Sequence, residues 1–350
     1  MTKDLPGIAM IGAGFIADYH LGGLRAAGGS VVRVVASRDA VKAREVAGRF
    51  GVADATGDWR EVLERPDVDA VIVATPDQTH EEIAIRAAAA HKHILLQKPM
   101  AGSLAACERI LQAARDAGVD LQVSFMHRYF EEMEAARDLL LQGAIGRVHS
   151  VRVRNATPGP DWGDWFFDPA NVANGVVDQL GVHGIDLACW LLGPIRDVSA
   201  RVAVQVPQRR LRDGRIVAVR APDTAMVSYG FDAGMVGSHE MSMVEAQGCD
   251  RFRIELYGEA GTLWLRTGRG RLALWAPERH GLHWHVPALE EAPLGRRHHA
   301  EWLAGLVDPA ARRHTALEAI AGMRVVEAIG RSAAADGQRI AVSAGLMGPG

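Results

Sequence analysis

The first 125 residues alternate short apolar runs with helical patterns, and this rhythm constrains the fold more than any other feature. We predict strands at Gly7–Ile11, Val31–Ala36, Ala70–Ala74, His93–Leu96 and Leu121–Phe125. Helices are predicted between them, up to about Ala27, at Ala40–Phe50 with Asp39 as N-cap, at Thr79–Ala90 and at Ser103–Ala117. Strands that alternate with helices of this length indicate βαβ units and a parallel sheet. Residues 1–125 therefore read as one doubly wound α/β domain.

After residue 125 the pattern changes. Helices are predicted at Glu131–Gln142 and Val176–Leu192, with a strand at Val148–Asn155 between them. Several period-2 segments follow between Val198 and Trp275, and the last predicted helix is Leu317–Ala335. This pattern indicates an α+β domain over residues 126–350, with a large open, mostly antiparallel sheet and helices on one face. We expect the C-terminal helix to be able to pack back on the first domain.

Charge and hydropathy exclude several classes of protein. Lys and Arg number 39 against 42 Asp and Glu, a net charge of −3, which gives no electrostatic case for nucleic acid as a partner. No apolar stretch approaches the roughly 18–20 residues of a membrane span. Residues 1–7 carry no apolar run before a cleavage site, so we expect no secretory signal and a cytoplasmic protein.

Cysteines and histidines give no sign of a metal centre. Cys107, Cys189 and Cys249 are far apart and are expected to be reduced thiols. Histidines cluster near the C-terminal end, at His280, His283, His285, His298 and His299. They lack a companion cysteine or carboxylate at ligand spacing, so we expect a solvated surface and no metal.

A glycine turn follows the first predicted strand and opens the first helix, in the segment Gly12-Ala13-Gly14-Phe15-Ile16-Ala17. Gly12 permits a tight turn, Gly14 lets backbone approach a pyrophosphate, and Ala17 is small where helix meets strand. The backbone at Phe15 and Ile16 then offers N–H groups and the positive end of the helix dipole. The segment predicts a dinucleotide-binding Rossmann domain.

The end of the second strand bears on cofactor choice. Enzymes that use NAD usually place a carboxylate here for the ribose 2′-hydroxyl, but this chain has Ser37 and Arg38. A short side chain followed by a cation suits a 2′-phosphate. Asp39 is an alternative partner for the hydroxyl, although helix capping explains it better. We expect NADP(H) to be preferred, with NAD(H) possible.

Three further segments carry a family resemblance. They are Ala74-Thr75-Pro76-Asp77-Gln78-Thr79-His80, Gln97-Lys98-Pro99, and Gly181-Val182-His183-Gly184-Ile185-Asp186. With the glycine turn, in this order and spacing, the whole chain resembles the Gfo/Idh/MocA oxidoreductases, relatives of glucose–fructose oxidoreductase and inositol dehydrogenase.

The resemblance implies an NAD(P)-dependent oxidoreductase that moves hydride between nicotinamide and a secondary alcohol or ketone. The implied substrate is a sugar, cyclitol or related polyol. Thr75, Pro76, His80 and Gln97 are then expected to border the cofactor, together with Lys98. The open sheet of the second domain resembles the oligomer interface of family members, which implies a homodimer or homotetramer.

Lys98 is the first candidate for catalysis. The sequence has 35 Arg but only four Lys, and Lys98 directly follows a predicted parallel strand, where open α/β sheets bind ligands. A desolvated lysine can take the proton of an alcohol or hold a carbonyl oxygen. Gln97 stands where the family usually has Glu, which removes an anion beside Lys98.

His183 is the second candidate. Gln179, His183 and Asp186 are spaced i, i+4, i+7, so we expect them on one helix face, with His183 in catalysis and the other two at the substrate. Asp178 should point about 100° away unless the helix is distorted. The family often has Asp four residues before the histidine, where this chain has Gln179.

Three other residues are candidate substrate contacts. Trp162 and Trp165 lie in a long loop before this helix and either stack on sugar rings or pack between domains. Arg128 follows the last strand of the first domain and either binds substrate hydroxyls or braces the domains.

Two other functions stay open. One is a redox-neutral sugar-modifying enzyme that keeps its cofactor bound. The other is a non-catalytic NAD(P)-binding sensor, which the loss of two acidic groups makes conceivable and the presence of Lys98 and His183 argues against.

Overall fold

The computed structural model describes residues 5–246, 251–266 and 271–343. The chain forms two compact units. Unit 1 comprises Met1–Tyr129 and Glu291–Ile320, and unit 2 comprises Phe130–Glu290 and Ala321–Gly350. Each unit is built around its own sheet.

The first segment of unit 1 is a strand–helix alternation. Its elements are β1 (Gly7–Ile11), α1 (Ala17–Ala27), β2 (Val31–Ala36), α2 (Ala40–Phe50), β3 (Asp54–Thr56), α3 (Trp59–Leu63), β4 (Ala70–Val73), α4 (His80–Ala89), β5 (His93–Gln97), α5 (Leu104–Ala117) and β6 (Leu121–Ser124). The strands pair in parallel in the order β3-β2-β1-β4-β5-β6. This confirms the predicted doubly wound sheet, whose strand order changes direction beside β1 and β4.

Within residues 1–125, two elements were not predicted, the edge strand β3 and the short helix α3. Strand β3 has only three residues, Asp-Ala-Thr, and no apolar run to mark it. The predicted helix cap is present: Asp39 accepts bonds from the N–H groups of Val41 and Lys42. Ser103, at the predicted start of the next long helix, is also a cap and accepts a bond from the Ala106 N–H. Capping residues with a side-chain acceptor are therefore a reliable local signal here.

Unit 2 and the end of the chain contribute the remaining elements. These are α6 (Glu131–Leu141), β7 (Val148–Ala156), a π-helical turn (Val177–Gly181), α7 (Val182–Leu192), β8 (Asp197–Ala203), β9 (Gln208–Arg210), β10 (Ile216–Ala218), β11 (Thr224–Gly230), β12 (Val236–Ser242), β13 (Phe252–Gly258), β14 (Gly261–Arg266), β15 (Leu272–Trp275), α8 (Pro277–His280), α9 (Arg296–Val307), α10 (Thr315–Ala334) and β16 (Ile340–Ala341).

Most strands of unit 2 form one large sheet. Within the described residues the order is β15-β14-β13-β7-β12-β11-β8-β16. Every neighbouring pair is antiparallel except β7 and β12. The mostly antiparallel α+β architecture is confirmed, and β9 and β10 form a separate two-stranded hairpin.

The segment 291–320 differs from the expectation of a single boundary at residue 125, because it returns to unit 1. Trp302 of α9 is fully buried in the core that contains Leu21 and Leu24 of α1. The apolar face of α1 needs a cover that residues 1–125 do not supply, and α9 supplies it. Helix α10, the predicted C-terminal helix, starts in unit 1 and continues beyond Ile320 into unit 2.

Two expectations concern composition rather than topology. Cys107 is buried and Cys189 half-buried, whereas Cys249 lies outside the described residues. In the described part of the chain, no helix combines the length and the hydropathy required to cross a bilayer.

Candidate active site

The turn between β1 and α1 has room for a ligand at one glycine and none at the other. Gly12 has a φ of 114°, and a Cβ there would lie 2.3 Å from the carbonyl oxygen of Ala74, so only glycine fits. At Gly14 nothing lies within 4 Å of where a Cβ would be. Helix α1 starts after Ile16 without a side-chain cap, and Phe15 is 75% exposed. A helix start without a side-chain cap suits the phosphates of a dinucleotide.

The end of β2 presents a cation rather than a carboxylate. Arg38 is exposed, and Ser37 donates its backbone N–H to the carbonyl of Thr56. Asp39 is engaged in capping α2, with its Oδ1 3.0 Å and 3.1 Å from the N–H groups of Val41 and Lys42. The carboxylate therefore has the capping role expected from the sequence.

The loop after β4 is ordered by its own threonines. Thr79 donates its hydroxyl to the carbonyl of Pro76 at 2.7 Å and lies 2.8 Å from the hydroxyl of Thr75. Asp77, in the same loop, is only 5% exposed. Asp77 belongs to one of the sequence motifs described above, but nothing in the sequence spacing predicts that it lies near Lys98.

Lys98 follows β5, the strand next to β4, and Gln97 fixes its backbone. The side-chain oxygen of Gln97 accepts the Lys98 N–H at 2.8 Å. The Lys98 side chain is half-buried, and loss of solvent lowers its pKa to about 8, although the nearby Asp77 carboxylate opposes this shift. A lysine with this pKa exchanges protons near neutral pH, as a general acid–base group requires.

His80 is buried rather than directed to an open surface. Only 1% of it is exposed. Its Nδ1 lies 3.0 Å from the carbonyl oxygen of Pro99, and its Nε2 lies 2.9 Å from the carbonyl oxygen of Thr75. The ring thus connects the loops that follow β4 and β5.

Arg128 is buried against its own unit. It forms an ion pair with Glu318 at the start of α10, and its guanidinium lies 5.2 Å from the ring centre of Phe125. These contacts hold the Arg128 side chain within unit 1.

The helix that carries His183 is distorted, which changes the geometry expected for its neighbours. Val177–Gly181 form a π-helical turn, and the Val182 N–H reaches back to the carbonyl of Val177. A residue in such a wide turn rotates by less than the ~100° of an α-helix, so the angles between Asp178, Gln179 and His183 differ from those of an ideal helix.

Asp178 is the buried acidic residue of this turn. Asp178 is 4% exposed and His183 8%, whereas Gln179 is half-buried. The Asp178 carboxylate accepts the Asn174 backbone N–H at 2.8 Å and its side-chain amide at 3.1 Å. The sequence contains a signal for this geometry. Asp178 stands five residues before His183, one more than the spacing of four that is usual in the family, and a π turn accommodates one extra residue.

Asp186 lies one turn after His183 in α7 and is 5% exposed. Glycines on this helix allow it to lie close to the sheet. A Cβ at Gly181 would be 2.5 Å from the sulfur of Met241, and one at Gly184 would be 2.4 Å from Cε1 of His239. The position of His183 is therefore set by contacts of its neighbours with β12.

The loop that carries Trp162 and Trp165, called the aromatic loop below, is held by ion pairs to residues in and after the β9–β10 hairpin. Arg212 pairs with Asp161, Arg215 with Asp164 and Arg220 with Asp168, at 2.7, 3.0 and 2.9 Å. These pairs are the loop's ionic links to the segment 212–220.

The two tryptophans of this loop differ in exposure. Trp165 stacks on Phe166, with ring centres 3.7 Å apart. Trp162 meets the edge of the same ring, has the Arg212 guanidinium 5.4 Å from its ring centre, and is 48% exposed. Trp162 thus has the larger surface available to a ligand.

The expectation of a solvated surface at His298 and His299 was wrong. These residues are 2% and 0% exposed, in the interface of α9 with α1. His20 Nδ1 lies 2.9 Å from His299 Nε2, and the hydroxyl of Tyr19 lies 3.0 Å from His298 Nδ1. The lack of ligand-spaced partners does not imply exposure, because neutral imidazoles pack well in a core when they share hydrogen bonds. His283 is exposed, and His280 and His285 are half-buried and stacked on each other.

Both parts of the chain match a known family. Residues 7–125 match the GFO/IDH/MocA model described as an oxidoreductase family with an NAD-binding Rossmann fold. Residues 133–264 match the GFO/IDH/MocA C-terminal domain. Together the two matches include the glycine turn, Lys98 and His183.

Two of the similar proteins are dehydrogenases of a sugar derivative and of a cyclitol. Inositol 2-dehydrogenase 2 of Saccharopolyspora erythraea is 31% identical over 73% of this chain and 72% of its own length. Levoglucosan dehydrogenase of Pseudarthrobacter phenanthrenivorans is also 31% identical, over 67% of this chain and 64% of its own length.

A solved structure extends the likeness to the fold. A levoglucosan dehydrogenase in complex with NADH and L-sorbose superposes with a TM-score of 0.85 and 25% identity, covering 97% of this chain and 99% of that one. The predicted fold, NAD-binding domain and dehydrogenase class are confirmed at the level of the family. The chain belongs to the GFO/IDH/MocA family of NAD-binding oxidoreductases.

Proposed function

We propose that this chain catalyses hydride transfer between a nicotinamide dinucleotide and a secondary alcohol of a sugar, cyclitol or related polyol. The observation that carries this proposal is Lys98, half-buried at the carboxyl end of a parallel strand with its pKa lowered to about 8. Open α/β sheets bind their ligands at this edge.

The cofactor is held by unit 1. The tight turn at Gly12, the open space at Gly14 and the uncapped start of α1 suit the pyrophosphate, and Thr75 and Pro76 border the cofactor. When bound, the nicotinamide supplies the hydride acceptor or donor. Since Arg38 is exposed and Asp39 caps α2, we propose that NADP(H) is preferred over NAD(H).

Lys98 moves the proton. In the oxidative direction, the neutral Nζ of Lys98 takes the proton of the alcohol's hydroxyl group, while the hydride leaves the carbon that bears this hydroxyl. In the reductive direction, the ammonium returns that proton to the carbonyl oxygen. Near neutral pH both protonation states are populated, because the pKa of Lys98 is about 8.

His183 and its helix serve the substrate. His183 is an imidazole beside the π turn, and we propose that it hydrogen-bonds the reacting hydroxyl. We propose that Asp178, a buried carboxylate on that turn, takes the role of the Asp that the family often has four residues before the histidine, where this chain has Gln179. Gln179 and Asp186 are proposed to contact other hydroxyls of the substrate.

Trp162 is proposed to stack on the sugar ring, since its ring is 48% exposed, whereas Trp165 packs on Phe166 and supports the loop. For Arg128 we propose bracing rather than substrate binding, because its guanidinium pairs with Glu318.

We further propose a cytoplasmic homodimer or homotetramer that associates through the large sheet of unit 2. Exposed apolar side chains on this sheet support the proposal, since Met226 and Val236 are 56% and 58% exposed. Light scattering on the purified protein measures the oligomeric state.

Two measurements test the function. Purified protein is assayed with a panel of polyols and either NAD⁺ or NADP⁺, beside Lys98→Met and the exposed control Lys42→Met. We expect oxidation by the wild type and the control, and a loss of about 10²-fold or more for Lys98→Met. Calorimetry with both cofactors, repeated on Arg38→Ala, tests the preference for NADP(H).

The alternatives predict other results. Cofactor that copurifies and never turns over with external polyols would favour the redox-neutral reaction. Absence of turnover with any polyol, together with tight cofactor binding that Lys98→Met leaves intact, would favour a sensor. If neither cofactor binds, the proposal is wrong.

A further inference from the structure

Two neighbouring loops of unit 1 are joined by one buried side chain. The loop after β4 carries Thr75, and the loop after β5 carries Lys98 and Pro99. Between them lies the ring of His80, which is 1% exposed. The ring spans the gap, with its Nε2 2.9 Å from the Thr75 carbonyl oxygen and its Nδ1 3.0 Å from that of Pro99.

Both partners of this ring can only accept hydrogen bonds. A neutral imidazole has one N–H and donates to one of the two carbonyls, whereas a protonated imidazole donates to both. In either state the ring fills the space between the loops. A glutamine or asparagine side chain has no ring to fill this space.

The same corner holds two further charged groups. The Asp77 carboxylate, 5% exposed, raises the pKa of both His80 and Lys98, and burial lowers both. Asp77 begins the 3₁₀ turn that leads directly into His80 and α4. A displacement of the His80 ring would therefore alter both the position and the solvent contact of the Lys98 side chain.

We propose that His80 is a positioning residue for the hydride-transfer reaction. It holds the Pro99 carbonyl next to the loop that carries Thr75, and it thereby keeps the Lys98 side chain desolvated and fixed in position relative to that loop. This inference rests on the proposed function of Lys98. It gives His80 a role behind the site, in place of the direct cofactor contact expected from the sequence.

The test measures the protonation of Lys98 directly. Since the sequence has only four lysines, lysine labelled with ¹³C at Cε gives a sparse NMR spectrum, and the signal missing from Lys98→Arg assigns Lys98. The pH titration is recorded for wild type, His80→Gln and His80→Asn. The control is His91→Asn, an exposed histidine with a φ of 55° that asparagine tolerates.

In the His80 variants we expect the pKa of Lys98 to move from about 8 toward the ordinary lysine value of 10.5. We also expect kcat to fall at least about tenfold, with a smaller change in cofactor affinity. His91→Asn should match the wild type in both respects. A purely structural role would lower thermal stability and leave the Lys98 titration in place, which would overturn the inference.

A second measurement covers the case in which both His80 variants unfold. In the unaltered protein, ¹⁵N NMR of the histidine rings should show a His80 N–H protected from exchange and a pKa below 6.5. A His80 ring that exchanges rapidly and titrates at its ordinary value would contradict the bridge. Neither titration depends on turnover, so a wild type that oxidises no polyol would refute the proposed function separately.

Discussion

Gly184 of α7 faces the ring of His239 on β12 so closely that a single added methyl carbon would lie 2.4 Å from its Cε1. The His239 ring is itself fixed, with its Nε2 2.7 Å from Asn155 Oδ1 and its Nδ1 2.9 Å from the Tyr229 hydroxyl. Burial lowers the pKa of His239 to about 3, so the ring stays neutral in its slot. The residue next to His183 is thus held against a rigid, hydrogen-bonded group.

Gly184→Ala should therefore displace α7 and, with it, His183. We expect a loss of about 1–3 kcal/mol in the free energy of unfolding, as for other overpacked cores. We also expect a lower kcat with unchanged cofactor affinity, because the cofactor residues belong to unit 1. Denaturant unfolding and steady-state kinetics check this. Gly48→Ala in α2, where a Cβ meets nothing within 4 Å, is the control and should not reduce activity.

Asp178→Asn should reduce kcat more than Gln179→Ala. The carboxylate of Asp178 is buried beside the π turn, whereas Gln179 is half-buried and uncharged. We expect a loss of about tenfold or more for the first variant and a mainly KM effect for the second. Kinetics on both variants decide the matter: equal effects on kcat would mean that the Asp178 carboxylate has no special role in the reaction.

Asp77→Asn should shift the pH dependence of polyol oxidation toward acid. The Asp77 carboxylate stabilises the protonated form of Lys98, so its loss lowers the pKa of Lys98 below about 8. Oxidation needs neutral Lys98, and its rate rises as the pH passes through that pKa. A kcat profile measured from pH 6 to 10 should show the rise at lower pH in the variant. A shift toward alkali would contradict the electrostatic argument.

Trp162→Ala should raise KM for the sugar with little effect on kcat or cofactor affinity. Loss of a stacking surface removes binding that is shared by ground state and transition state. Trp284→Ala is a matched control, since Trp284 is also 48% exposed but lies outside the aromatic loop. If both variants behave alike, the stacking role of Trp162 is wrong.

The free energy of unfolding should fall as the pH drops from 6.5 toward 4. Burial lowers the pKa of His299 to about 4 and holds those of His20 and His298 well below 6.5, so the unfolded chain binds protons that the folded chain does not. Each such histidine contributes a slope of about 1.4 kcal/mol per pH unit, and this stabilisation is complete above the unfolded pKa.

Urea unfolding at several pH values, on wild type and His298→Gln, isolates one of these contributions. Glutamine does not titrate, so the free energy of unfolding of the variant should change less steeply with pH, by the contribution of about one proton. Equal slopes would mean that His298 titrates normally in the folded chain.

Local chemistry made much of unit 1 predictable. The five residues of β1 are all buried and apolar, Asp39 and Ser103 are side-chain caps, and Gly12 is required by a positive φ. Each of these signals is contained within a few residues of sequence, and so is the placement of Lys98 after a strand.

Features that depend on tertiary contacts were missed. His298 and His299 read as solvated because their partners, Tyr19 and His20, are distant in sequence. The π turn at Val177–Gly181 is not part of the ideal helix from which the directions of Asp178 and Gln179 were predicted. The burial of Asp77 beside Lys98 depends on the pairing of β4 with β5, which spacing alone does not measure.

The return of residues 291–320 to unit 1 has a consequence for synthesis on the ribosome. Helix α1, whose N-terminal end is proposed to receive the cofactor phosphates, keeps its apolar side uncovered until Trp302 of α9 has emerged. During translation of residues 130–290, the apolar side of α1 therefore stays exposed and accessible to chaperones. A fragment ending near residue 125 would inherit the same exposed helix and should aggregate, whereas one that joins residues 1–129 to 291–320 through a short linker should not.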